Sequence, residues 1–90
     1  MQPQATAVEV LPEYRLAVTF ADGTSGIVDC TPWIYQFDTG LFAPLRDPLR
    51  FAQVFINSEW GHLEWPNGAD VDPYVLYEKA QDSVVKRARG

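Results

Sequence analysis

The chain has one cysteine, and that scarcity excludes a good deal. Cys30 has no second thiol to pair with, so neither an internal disulfide nor a zinc site built from several cysteines is available, and a reducing compartment fits. There is also one histidine, His62. No run approaches the ~20 apolar residues that span a membrane. The N-terminus, Met1-Gln2-Pro3-Gln4-Ala5-Thr6, lacks the basic and apolar regions of a signal peptide. The expected location is the cytoplasm, with no membrane association. No glycine-rich phosphate loop, no Ser-His-Asp set and no dinucleotide-binding spacing is present. A chain this small needs at least a pair of titratable groups on a rigid frame to act as an enzyme, and none announces itself.

Positive charge is scarce too. Seven basic residues stand against twelve acidic ones, a net charge of −5. Such a chain repels a phosphate backbone unless its cations gather on one face. Lys86, Arg87 and Arg89 do crowd the last positions and make a basic tip. Nucleic-acid binding by this chain alone is nevertheless not expected.

What is present suffices for one folded domain over residues 1–90, with residues 1–5 expected to be disordered. Hydrophobic residues make up 47% and aromatics 13%, enough apolar material to exclude a disordered chain. A chain of this length buries roughly 60–65% of its unfolded surface, so stability on the order of 5–10 kcal/mol is expected.

Thr6 to Val10 alternates weakly as a first strand. Tyr14, Leu16, Val18 and Phe20 then alternate with Arg15, Ala17 and Thr19, the clearest strand pattern in the chain. Asp22-Gly23 signals a hairpin, and Thr24 to Cys30 is the return strand, anchored by Ile27 and Val28. Gly26 within it predicts a bulge or a close backbone approach. Thr31-Pro32 reads as a helix cap followed by proline, opening a short helix with Trp33, Ile34 and Phe37 on its apolar face and Gly40 at its end. Leu41 to Leu45 reads as an apolar flap over the core. Asp47-Pro48 repeats the cap signal for a second short helix, about 48–53, presenting Leu49 and Phe51 or Ala52. Val54-Phe55-Ile56 and His62-Leu63-Glu64-Trp65 form a second hairpin around a turn at 57–61, and Asp72-Pro73 opens the longest helix, about 73–88. Leu76, Tyr77, Ala80, Val84 and Ala88 give that helix an apolar stripe, with Asp82 and Lys86 as an i, i+4 pair. The order β-β-β-α-α-β-β-α predicts an α+β fold: an antiparallel sheet of two hairpin units packed against helices, with a long C-terminal helix.

Each candidate for chemistry has a plain structural alternative. His62 and Glu64 would share a strand face, with the carboxylate orienting the imidazole; the alternative is an exposed strand histidine. Cys30 precedes a helix start, where thiols are activated; the alternative is a buried core thiol. Asn67, Asp70 and Asp72 carry oxygen donors at near-alternate positions, but no glutamate completes a calcium loop, and turn chemistry with a helix cap accounts for all of them. His62, Asn67, Asp70 and Asp72 are thus a candidate ligand loop. No cofactor is expected. Aromatics are in surplus for so small a core, and exposed ones mark interaction surfaces. Phe42 on the flap, Phe55 and the turn residue Trp60 are the candidate partner-binding residues.

Several stretches taken together resemble a known family. They are Leu11-Pro12-Glu13-Tyr14-Arg15-Leu16, Phe20 to Asp29, Gly40 to Asp47, and Trp65-Pro66-Asn67-Gly68-Ala69-Asp70-Val71-Asp72-Pro73 with Leu76-Tyr77-Glu78. The chain resembles, over about residues 6–78, a family of small bacterial proteins known as domain of unknown function 2442. The resemblance implies a compact α+β domain and brings no activity, catalytic residue or ligand. Some relatives carry a C-terminal helix-turn-helix domain, and others look like companions of a second small protein in the manner of toxin–antitoxin pairs. This chain ends at Gly90, which sets the expectation that it lacks the DNA-binding extension. The reading that results is a non-catalytic protein-interaction module, an antitoxin-like or regulatory subunit that binds a small protein partner, with a homodimer as a further arrangement. The alternative is a small-molecule or metal-binding sensor or enzyme built on His62 and the Asn67–Asp72 loop.

Overall fold

A computed structural model describes residues 3–89, with side chains through residue 82. The first sheet is an antiparallel meander of β1 (Ala5–Leu11), β2 (Arg15–Phe20) and β3 (Ser25–Asp29). The second is smaller and also antiparallel: β4 (Phe55–Ile56), β5 (Leu63–Glu64) and β6 (Asp70–Val71). Between them lie α1 (Thr31–Ile34), a 3₁₀ turn at Ala43–Arg46 and α2 (Pro48–Phe51); α3 (Pro73–Arg89) follows the second sheet. The α+β class and the paired hairpin units are as expected, and β6 is added. Among the described residues, no helix is long and apolar enough to cross a membrane.

The strand alternation is obeyed where it was strongest. Leu16, Val18 and Phe20 on β2 are buried, as is Val28 on β3, while Thr19 and Ser25 point outward. Val18 pairs with Gly26 and Leu16 with Val28, so the two strands share an apolar face; α3 packs on β3 and reaches β2 through Tyr77, edge-on to Phe20. Gly26 marks a close approach, not a bulge. A methyl at its Cα would sit 2.2 Å from the Ala80 carbonyl oxygen of α3. Leu76 and Ala80 complete this layer with no exposure. Of the expected helical stripe, Val84 and Ala88 lie outside the described residues, as do the Asp82–Lys86 pair and the basic group of Lys86, Arg87 and Arg89.

Both tight hairpins use one device. Phe20 accepts from the Gly23 N–H and donates to the Thr24 carbonyl; Trp65 accepts from the Gly68 N–H and donates to the Ala69 carbonyl. Gly23 and Gly68 take φ of +88° and +95°, conformations that cost glycine little. The residue before each glycine closes the turn: Asp22 Oδ1 accepts from the Thr24 N–H, and Asn67 Oδ1 from the Ala69 N–H.

Several local expectations are corrected. Ala5, grouped with a disordered N-terminus, opens β1, is 5% exposed, and donates its N–H to the Gly61 carbonyl. Tyr14, assigned to the second strand, lies in the turn before it. It and Glu13 adopt φ of 61° and 65°, left-handed conformations uncommon for residues with a Cβ. The Tyr14 strain is held by its ring, edge-on to Phe51 and Tyr35, and by its hydroxyl, which donates to the Arg46 carbonyl. Glu13 is exposed and has no such support in side-chain packing. Glu13→Gly is therefore expected to raise stability by about 1 kcal/mol, measured by urea denaturation, since the left-handed penalty is roughly 1–2 kcal/mol per residue.

Helix α1 is a single turn and does not reach Gly40. Arg46 takes the carbonyls that a longer helix would need, its Nε donating to Ile34 at 3.2 Å and its Nη2 to Phe37 at 2.9 Å. Nor does Thr31 cap it. Cys30 holds the cap position, and the Asp29 carboxylate accepts from the Thr31 N–H. Asp47 and Asp72 do cap, accepting from the Leu49 and Tyr74 N–H groups. Leu49, expected on the core side of α2, is 78% exposed, while Phe51 is buried. Phe55, on β4, is 41% exposed.

Candidate functional site

Trp65 organises the region between the flap and the second sheet. It is 1% exposed, lies edge-on to Phe42 with ring centroids 5.8 Å apart, and donates its indole N–H to the Phe51 carbonyl at 2.9 Å. Phe42 thus seats the flap on the core, as expected for an apolar loop. Leu45 at its end is also buried, whereas Leu41 at its start and Phe37 before it are not. Phe37 is 65% exposed and Leu41 52%.

Phe37, Leu41 and Phe42, with Trp33, Gln36 and Thr39, line a groove of about 370 Å³ together with Val71 of β6 and Val75 of α3. Asp70 and Asp72 are the charged groups in the lining. A neighbouring hollow of about 410 Å³ beside Trp65 is slightly larger but is lined by Arg50, Gln53 and Asn67 and carries none of the exposed apolar residues. The groove is the better candidate because its apolar surface is already exposed to water.

Its outer wall is tied at both ends. Arg46 holds the Ile34 and Phe37 carbonyls and lies over the Tyr35 ring, 4.7 Å from its centroid. Asn67 donates its side-chain N–H to the Leu41 carbonyl at 2.7 Å. An arginine fork and an amide, neither of them apolar, keep Phe37 and Leu41 in place. Sequence reasoning missed Arg46 in this role; its only signal was a cation beside an aromatic-rich loop.

The residues of the candidate ligand loop are dispersed among separate tasks. Asn67 closes a turn and ties the flap, and Asp72 caps α3. Asp70 lies on β6, opposite Glu64. His62, whose plain alternative was an exposed histidine, has a side chain only 15% exposed. Its Nε2 is 2.9 Å from Glu64 Oε1 and 4.0 Å from Asp70 Oδ2. The same Glu64 oxygen accepts from the Asn57 amide at 3.2 Å. Glu64 does orient the imidazole, then, and the bonds from His62 and Asn57 hold its carboxyl below the usual range. A depressed carboxylate supports the fold above its unfolded pKa, and that support is lost as the pH falls through its folded value. Among the described residues, no group of three or more His, Cys, Asp or Glu is placed to hold a metal ion.

Cys30 is the buried thiol of the plain alternative. It has no exposure, and burial, aided by the Asp29 charge, pushes it up to about 12. The thiolate is the reactive form. Native protein is expected to be inert to a thiol reagent at mildly alkaline pH and to release one equivalent on unfolding; rapid native labelling would contradict this burial.

Of the candidate partner residues, Phe42 lines the groove, half-buried. Phe55, on β4, and Trp60, 56% exposed in the β4–β5 turn, are not part of its lining. Trp60 is held outward because Asn57 Oδ1 accepts from the Glu59 and Trp60 N–H groups.

Among known proteins, residues 5–82 match the family model described as "Protein of unknown function (DUF2442)". No curated protein and no solved structure matches the chain.

Proposed function

Since this chain belongs to the DUF2442 family, whose description assigns no activity, we propose from its geometry that it is a non-catalytic protein-interaction module. In this reading it is an antitoxin-like or regulatory subunit in the cytoplasm, and its groove receives a small protein partner. The observation that carries the reading is the tied flap wall, which keeps Phe37 and Leu41 in water opposite Val75. Exposed apolar surface that the fold holds rigid binds with little ordering cost. Aromatic side chains at the rim supply contact area of the kind that dominates interfaces.

The test is affinity capture from the native cells after nuclease treatment, comparing wild type with Phe37→Asp and Leu41→Asp. Both side chains are more than half exposed, so these variants fold. A stoichiometric small protein held by wild type and lost from both variants is the expected result. Loss in a Phe55→Asp, Trp60→Ala double variant with retention by Phe37→Asp would move the interface to the second sheet.

A second reading is a small-molecule or metal-binding sensor or enzyme. It is favoured by Asp70, which both lines the groove and stands 4.0 Å from His62. The groove's volume is at the low end of ligand pockets, roughly 300–1,000 Å³. A thermal-shift panel of divalent cations and metabolites tests it, because a specific ligand raises the melting temperature by mass action.

A further inference from the structure

The groove's charge is of one sign. Asp70 and Asp72 stand in its lining, with side chains open to water, and Asp38 lies between the lining residues Phe37 and Thr39 with its carboxylate almost fully exposed. Among the described residues, the basic side chains beside the groove already have partners. Arg46 is bonded to the Ile34 and Phe37 carbonyls and stands 3.6 Å from Asp38, and His62 is bonded to Glu64. The rest of the lining is mostly apolar, with Gln36 and Thr39 as its uncharged polar side chains. An apolar cleft with an anionic rim selects for its own complement.

Resting on the interaction-module reading, we infer that the occupant is a short segment of a partner protein carrying a large apolar side chain flanked by lysine or arginine. The apolar side chain fills the space between Phe37 and Val75, and the flanking cations meet Asp70, Asp72 and Asp38. A second copy of this chain fits poorly. A two-fold interface places the same patch on both sides, so the acidic rim would face itself.

The experiment uses three fluorescent synthetic peptides with the same leucine and phenylalanine positions at helical spacing and with lysine, glutamine or glutamate at the polar positions. The lysine peptide is expected to bind the full chain about tenfold more tightly than the glutamate peptide, the sum of several exposed ion pairs. The difference should shrink with added salt. It should also shrink in an Asp38→Asn, Asp70→Asn double variant, which spares the Asp72 cap. Phe37→Asp should abolish binding of all three peptides while leaving the melting temperature near that of wild type. Equal binding of the three overturns the charge inference and leaves the interaction-module reading standing. Binding of none also overturns it; the module reading falls with it only if capture from cells is indifferent to Phe37→Asp as well. A dimer in solution that Phe37→Asp dissolves would replace the partner segment with a second copy and overturn the inference.

Discussion

Trp65→Ala is expected to cost about 4 kcal/mol, within the roughly 3–5 kcal/mol range for truncating a buried tryptophan. On a total of order 5–10 kcal/mol, that leaves roughly 1–6 kcal/mol. The reasons are local and several. Trp65 is among the largest fully buried side chains, it touches Phe42 on the flap and Phe51 on α2, and its indole N–H satisfies the buried Phe51 carbonyl. Removing the ring opens a cavity and strands that carbonyl. Trp65→Phe separates the contributions. It keeps most of the packing and loses only the N–H, for about 1–3 kcal/mol. Thermal melting should then order the proteins as wild type, Phe and Ala, with the Ala variant down by roughly 15–30 °C. A Phe variant as unstable as the Ala variant would mean that the hydrogen bond dominates. An Ala variant close to wild type would contradict the packing described.

Gly26→Ala is expected to cost about 3 kcal/mol, the upper end of the usual overpacking penalty. A side-chain clash relaxes by a rotamer change, but here the added methyl would meet the Ala80 carbonyl oxygen at 2.2 Å and its carbon at 2.8 Å. Backbone of α3 must lift away from β3, and Leu76 and Ala80 lose their cover. Gly23→Ala supplies the comparison. Space there is open, so only the φ of +88° is penalised, by roughly 1–2 kcal/mol. Urea denaturation of both variants distinguishes a steric cost from a conformational one. If Gly26→Ala proves the milder of the two, α3 does not dock on β3 as described.

These residues also show what the sequence makes legible. Gly26 in an alternating strand already asked for a bulge or a close approach, of which the structure has the second, and the strict period of Leu16, Val18 and Phe20 assigned the buried face correctly. Asp22-Gly23 and Asn67-Gly68 close turns of the same design, yet only the first was read as a hairpin. The strand after Asn67-Gly68 is two residues long, Asp70–Val71, too short to show a period. The helix expected up to Gly40 failed for a different reason. Its stop is set by Arg46, whose guanidinium takes the Ile34 and Phe37 carbonyls from 12 and 9 residues away. A contact of that kind leaves no periodic trace. The same holds for the candidate site. The surplus of aromatics was visible, and the expectation of exposed Phe55 and Trp60 side chains agrees with their placement. The groove itself depends on Phe37 and Leu41 being held out by Arg46 and Asn67, and on Val75 being exposed at the start of α3. Such facts belong to tertiary structure. The pairing of His62 with Glu64 was readable, because residues two apart on a strand share a face. The approach of Asp70 was not, since it required β6.

The groove beside Phe37 is the proposed docking surface of this protein in its cell. Site-specific photocrosslinking tests it most directly, with a benzophenone amino acid placed in turn at Phe37, Phe55 and Trp60 of the chain in its native cells. A single protein crosslinked strongly from Phe37, and weakly or not at all from Phe55 and Trp60, is the predicted result. Crosslinks confined to Phe55 or Trp60, or none from any of the three positions, would contradict it.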